Sequence, residues 1–195
     1  FDTMGEGNFA RVVAQGAAVG GSNIAIRILG ASSAMQFFID GSTTNMVRSS
    51  AANTVRTGFW DHWAVTHDGS LTAASANIYR NAVETTYQAT TNGVGVGAVK
   101  VFNVIFGNLP DGTRSLDGKL AHLHIYNRIL STNEIRQLMH HPGSRSIGLQ
   151  GYWPLDGFGA VEPDTSGQGN TGTLTGTTAA AQTPPTNEAF VIAAP

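Results

Sequence analysis

The side chains best equipped for chemistry in this chain are its acids and histidines. Residues 151–174 read GYWPLDGFGAVEPDTSGQGNTGTL, which sets Asp156, Glu162 and Asp164 around a glycine-rich turn. Carboxylates backed by main-chain carbonyls are the ligands of a hard cation such as calcium, which takes six to eight oxygens. The run DTSGQGN is not an EF-hand loop, because its glycines fall at the wrong position and no glutamate closes it. The same residues support a plainer reading, in which Asp164 and Ser166 fold back on nearby backbone amides and shape the turn. His122 and His124 stand at i, i+2, a spacing that puts two imidazoles on one face of a strand and suits zinc. No third ligand lies close in sequence, so the expectation is a pair of polar residues on an outer face. His140 and His141 end a helical run, where imidazolium complements the negative end of the helix dipole.

Hydrolysis of a glycosidic bond would need two carboxylates roughly 5–10 Å apart. On a strand these appear as acids at i, i+2 or i, i+4 facing the same way, and the chain has no E-x-D-x-x-E run. Glu84 and Glu134 are distant in sequence, while Asp61 and Asp68 have opposite strand parity. There is also no nucleophile elbow and no phosphate-binding loop. The chain therefore reads as non-enzymatic.

The elements that would position these residues follow from composition and pattern. At 195 residues the chain suits one substantial domain, which removes roughly 70% of its unfolded surface from water. It needs no disulfide staple and has no cysteine to make one. With 12% charged residues, a net charge of −2 and no basic run, binding to nucleic acid through phosphate neutralisation is not expected. No stretch of about 18 apolar residues is present to span a membrane. The chain opens at Phe1 without a signal peptide, which suggests a processed portion of something longer.

Short apolar or alternating runs recur between Gly, Asn and Asp. They are FARVVAQ (9–15), NIAIRIL (23–29), MQFFID (35–40), HWAVTHD (62–68), NIYRN (77–81), VETTYQA (83–89), VKVFNVIFG (99–107) and LAHLHIY (120–126). Strands separated by turns every 8–12 residues or so predict an all-β sandwich or barrel. In the last run Leu123 and Ile125 should point one way, and His122, His124 and Tyr126 the other. Ser131 and Glu134 have capping-box spacing, followed by Ile135, Leu138 and Met139 and stopped by Pro142, which predicts a short helix near 131–141.

These residues carry a resemblance. The run WDHWAVTHDGS (60–70), then NIYRNAVE (77–84), then DGKLAHLHIYNRILSTNEIRQL (117–138) resembles, in order and spacing, the LamG-like jelly-roll family of the concanavalin A-like lectin/glucanase superfamily. The likeness covers about 9–140. It implies an antiparallel two-sheet β-sandwich, a jelly roll. The block 151–174 is similar to the stretch that usually opens such a domain, yet here it comes last. It is expected to return and supply strands over 149–176, rather than begin a second, truncated copy. The layout implied is one sandwich over 1–177, with main strands 9–126, helix 131–141 and the returning strands, and then an Ala/Pro/Thr-rich extended tail over 178–195. Two departures stand out. Asn81-Ala82 replaces the Asn-Gly often found in the second hairpin, so a type I′ turn is not expected there. Ala121 and His122 stand where the family often has an acidic pair, which removes possible cation ligands.

Calcium sites at the rim recur in such domains, which keeps Asp156, Glu162 and Asp164 as calcium candidates. The aromatic residues open to a sugar are Trp60, Trp63, Tyr87, Tyr152 and Trp153. Trp63 or Trp60, and Trp153 or Leu155, are expected to be buried in the core instead. The function implied is a surface recognition or adhesion module for a glycan or protein ligand. The alternative is a structural or decoration subunit of a virion or extracellular layer, with the apolar end 190–194 free to add to a neighbour's sheet edge. Either reading places the chain at an extracellular or virion surface. Its partners would be a glycan, a protein surface or further copies of itself.

Overall fold

The computed structural model describes residues 9–16, 24–97, 103–109, 112–156, 160–175 and 190–193, the last four as backbone only. The strands in chain order are β1 (Ala10–Gln15), β2 (Ile24–Leu29), β3 (Ala34–Ile39), β4 (Met46–Ser50), β5 (Trp63–Thr66), β6 (Asn77–Arg80), β7 (Val83–Glu84) and β8 (Tyr87–Thr91). They continue with β9 (Val104–Phe106), β10 (Leu123–Tyr126), β11 (Leu149–Trp153), β12 (Val161–Glu162), β13 (Gly172–Thr173) and β14 (Phe190–Ala193). One helix, α1, spans Thr132–His140. It is too short to cross a membrane, and no other helix among the described residues is long and apolar enough. Contacts gather the chain into two compact units. One comprises Phe1–Phe59, Gly69–Ile78 and Thr85–Gly118; the other comprises Trp60–Asp68, Tyr79–Glu84 and Lys119–Pro195.

The first unit holds a sheet of order β8-β4-β3-β2-β1-β9, antiparallel throughout. Register explains its two faces. Ile26 pairs with Phe37 and Ile28 with Met35, so one face carries a continuous apolar set, all buried. The opposite face carries Arg11, Arg27, Gln36 and Ser49 side by side across β1 to β4. A bulge between Arg11 and Val13 shifts the register of β1. Strand β4 has no alternation to announce it in the sequence MVRSS. Its serines are nonetheless buried because they bond to the neighbouring strand: Met35 N donates to Ser50 Oγ at 2.9 Å, and Gln36 Nε2 to Ser49 Oγ at 2.7 Å.

The second unit holds a sheet of order β11-β10-β14-β5-β6-β7. Strand β14 corrects the expectation of a tail at its end. Phe190–Ala193 runs parallel to both β10 and β5 and lies between them. An apolar β-prone run here meets two open ladders in its own sheet, so it is not free for a neighbour's edge. Residues 178–189 lie outside the described residues. Strand β11 pairs antiparallel with β10 at the sheet margin.

The turn 81–82 is a second correction. Asn81 and Ala82 both have positive φ, 51° and 59°, as the two central residues of a type I′ hairpin between β6 and β7. Alanine in this region costs roughly 1 kcal/mol, and tertiary contacts offset it. Asn81 Oδ1 accepts from His62 N at 2.8 Å, and its amide donates to Asp61 Oδ1 at 3.0 Å. The Asp61 carboxylate, itself buried, pairs with Arg80 Nε at 3.2 Å. The Ala82 methyl is buried with Tyr79, Tyr126, Leu130, Ile135 and Leu138.

Helix α1 begins as the sequence predicts. Ser131 and Glu134 form both bonds of the capping box. Glu134 also takes a fork from Arg128, at 2.8 and 3.1 Å. The Arg128 bonds, with those from Ser131, hold the Glu134 carboxyl down at about 2. Ile135 and Leu138 face the core, as an amphipathic stripe requires.

In β11, Gly151 lies beneath the Trp153 indole. A Cβ placed there would stand 2.6 Å from Cζ3 of that ring. The ring is buried and pinned by Trp153 Nε1 donating to Asn170 O at 2.8 Å, so it has nowhere to move. Gly151→Ala is expected to destabilise the chain by about 2 kcal/mol, the usual cost of overpacking. An unchanged urea midpoint would contradict this.

Candidate functional site

The block 151–174 forms a knot of side-chain to backbone bonds. The Asp164 carboxylate accepts from Tyr152 N at 3.0 Å, Ser166 N at 2.9 Å and Asn170 N at 2.9 Å. Burial opposes its ionisation, but the bonds from Ser166, Tyr152 and Asn170 outweigh burial and hold its pKa below the ordinary value. Ser166 Oγ in turn accepts from Gln168 N at 3.2 Å. These are the side-chain turns that Asp and Ser favour. The short ribbon β12–β13 closes the block.

Glu162 is buried, and its Oε1 accepts from Leu155 N at 2.7 Å, where Leu155 holds a φ of 58°. Asp156 is exposed, and its field acts on His122 and Tyr152. The three calcium candidates are thus held in three different settings. Among the described residues no three His, Cys, Asp or Glu side chains gather into a group able to hold a metal ion. Both oxygens of Asp164 take backbone amides, while Glu162 Oε2 is buried without a hydrogen-bond partner among the described residues.

The histidine pair also departs from expectation. His122 has a φ of 55° and precedes β10, so it is not part of the strand's alternation, although both rings meet Tyr152. His124 is fully buried, contrary to an outer-face pair. It stacks on Tyr152 with ring centroids 4.1 Å apart and on Tyr126 at 6.3 Å. Its Nδ1 lies 2.8 Å from His122 O, and its Nε2 accepts from Gly143 N at 3.3 Å. That pattern selects the Nδ1-protonated neutral tautomer. His122 Nδ1 meets Tyr152 Oη at 3.1 Å. Desolvation, partly opposed by Asp156, lowers the His122 pKa. Tyr152, one of the aromatics that sequence left open to a sugar, is half-buried in this stack, while Trp63 and Trp153 lie in the core.

Two groups have no counterpart in the sequence reading. His62 is completely buried, and neither ring nitrogen has a hydrogen-bond partner among the described residues. Desolvation, with smaller pushes from His124 and His140, takes its pKa down to about 3. The second group is the arginine row of the first unit. Arg27 lies between two aromatic rings, its Cζ 4.4 Å from the centroid of Phe9 and 4.2 Å from that of Phe38. Arg114 meets the same Phe9 ring at 5.5 Å. No motif could show this row, because its members are 16 and 87 residues apart along the chain (11 to 27, 27 to 114), and cross-strand register brings the first two together.

A model of the laminin G type, described as the concanavalin A-like lectin/glucanases superfamily, matches residues 4–136. No curated protein and no solved structure matched the chain. The matched span contains the whole of the first sheet and, in the second, β5, β6, β7 and β10, while the block 151–174 lies beyond it. Since the match takes in well over half of a mostly β chain with antiparallel sheets and one helix, the chain belongs to the concanavalin A-like lectin/glucanase superfamily, and its make-up is consistent with that superfamily's β-sandwich.

Proposed function

We propose that this chain is a non-enzymatic recognition or adhesion module that works outside the cell and holds a glycan or protein surface. Membership of a superfamily whose laminin G-like domains are often binding modules is the observation that carries the reading. The state of the acids supports it. Asp61 is paired with Arg80, Glu134 with Arg128, and Glu162 and Asp164 with backbone amides. Carboxylates engaged in such bonds support a structural role over that of an acid and its partner flanking a glycosidic bond.

The test is retention of the full chain on an array of glycans and extracellular proteins, with laminarin hydrolysis assayed beside it. Retention that survives EDTA, without release of reducing sugar, is expected. Measurable turnover would overturn the non-enzymatic reading. Assembly into large homo-oligomers with no retention would favour a structural subunit instead.

A further inference from the structure

The arginine row on the first unit's sheet has more positive charge than its packing needs. Arg27 donates Nε to Gln36 Oε1 at 2.6 Å, and two rings hold its plane. Packing alone accounts for that residue. It does not account for Arg114, which comes from a separate loop onto the same Phe9 ring. Its backbone is held by bonds from Arg11 N to Arg114 O at 3.0 Å and from Arg114 N to Asn108 Oδ1 at 3.1 Å. The Arg114 guanidinium and the two Nη groups of Arg27 meet no hydrogen-bond acceptor among the described residues. Behind them Arg11, buried, donates Nη1 to Phe9 O at 2.7 Å.

Guanidinium groups crowd together here in a half-buried setting. Desolvation first, then Arg11 and Arg114, lower the Arg27 pKa to about 10, with Asp40 partly opposing them. Like charges at short range in a medium of low dielectric repel strongly, and an anion is the natural relief. Rings on both sides cover the faces of the Arg27 guanidinium and leave its in-plane N–H edge as the part able to bond. That edge matches a planar carboxylate, which it binds through two parallel bonds.

We propose that Arg27 and Arg114 bind the carboxylate of an acidic sugar, with Arg11 adding charge behind them. The saccharide part of this inference rests on the recognition reading above. The carboxylate part rests on the geometry of the row.

The test titrates the full chain with galacturonate, oligogalacturonate, heparin and neutral laminarin oligosaccharides, at low and at physiological salt. Oligogalacturonate is expected to bind, and salt to weaken it. Arg114→Gln should weaken it about tenfold, near 1.4 kcal/mol. Arg114 is the cleaner variant, because among the described residues its guanidinium makes no hydrogen bond and loses only the contact with the Phe9 ring, and a thermal melt verifies the fold. Arg114→Lys keeps the charge without the fork and should restore only part of the binding. Binding of the monomer as well would show that a single carboxylate suffices, and it too should fall with Arg114→Gln.

The inference is overturned if the wild type binds no uronate, if only heparin binds, or if folded Arg114→Gln binds like the wild type. Failure with uronates while the array still retains the chain through other ligands sinks this inference and leaves the recognition reading standing. Failure in both assays removes both.

Discussion

Replacing His62 with leucine is expected to make the chain markedly more resistant to acid. In the folded chain His62 is buried with neither nitrogen bonded among the described residues, and its pKa is lowered to about 3 from an ordinary 6.5. A histidine with a depressed folded pKa binds fewer protons folded than unfolded throughout that interval. Its contribution is therefore complete above about pH 6.5 and drains away as the pH falls towards about 3. Each pH unit is worth about 1.4 kcal/mol, so the loss across the window is on the order of 5 kcal/mol.

Leucine has no proton to gain and leaves no buried nitrogen without a bond, an omission that itself costs about 1–3 kcal/mol. The variant should at least equal the wild type near neutral pH, and its advantage should widen steadily in acid. Urea denaturation of both proteins at several pH values measures this directly. Parallel curves for wild type and His62→Leu would show that His62 is not the group responsible. His124 and His140, whose fields reach His62, remain in both proteins.

The second large effect belongs to the C-terminal strand. Phe190–Ala193 pairs with Leu123–Tyr126 on one side, and its last three residues pair with Ala64–Thr66 on the other. Removing the residues from Phe190 onward would leave β10 and β5 with facing, unpaired ladders in the middle of a sheet. Several backbone bonds at roughly 1 kcal/mol each give a loss on the order of 4 kcal/mol. Ile192→Pro should do much of the same damage from a single position, because proline has no N–H to give a central ladder. Hydrogen exchange gives the sharper reading. The amides of β5 and β10 should lose protection in both variants, while those of β2 and β3 report on the other sheet. Unchanged urea midpoints and unchanged protection of β5 and β10 would contradict the pairing.

Both predictions depend on features that the sequence could not show. His62 reads locally as one more residue of an alternating run, and the final FVIA reads as the end of a Pro- and Ala-rich stretch. Helix α1 is the opposite case. Its cap, stripe and stop all lie within a dozen residues, and the capping box forms as the spacing predicts. The runs that became β1, β2, β3 and β5 were equally legible, because apolar β-branched residues between turn formers are local information. Strand β4 was not legible. MVRSS has no alternation, and only its pairing with β3 and β8 makes its buried serines favourable.

The site shows the same division. Asp164 and Ser166 could be read as turn shapers because their partners lie within a few residues. The fate of His124 could not, since the ring that covers it belongs to Tyr152, on another strand. Asn81-Ala82 departs from its local preference for a similar reason: bonds from His62 and to Asp61 and the burial of a methyl group outweigh about 1 kcal/mol of backbone cost.

What the sequence determined by itself is the all-β class, the helix and its cap, the turn chemistry of 164–170 and the family. Each depends on propensities and hydrogen bonds that span only a few residues. Tertiary structure alone decided which side chains meet. It buried His62 and His124, set the last four described residues between β10 and β5, and brought Arg114 to the ring beneath Arg27. Those outcomes depend on strand register, and a shift of one residue in register would turn every side chain to the other face.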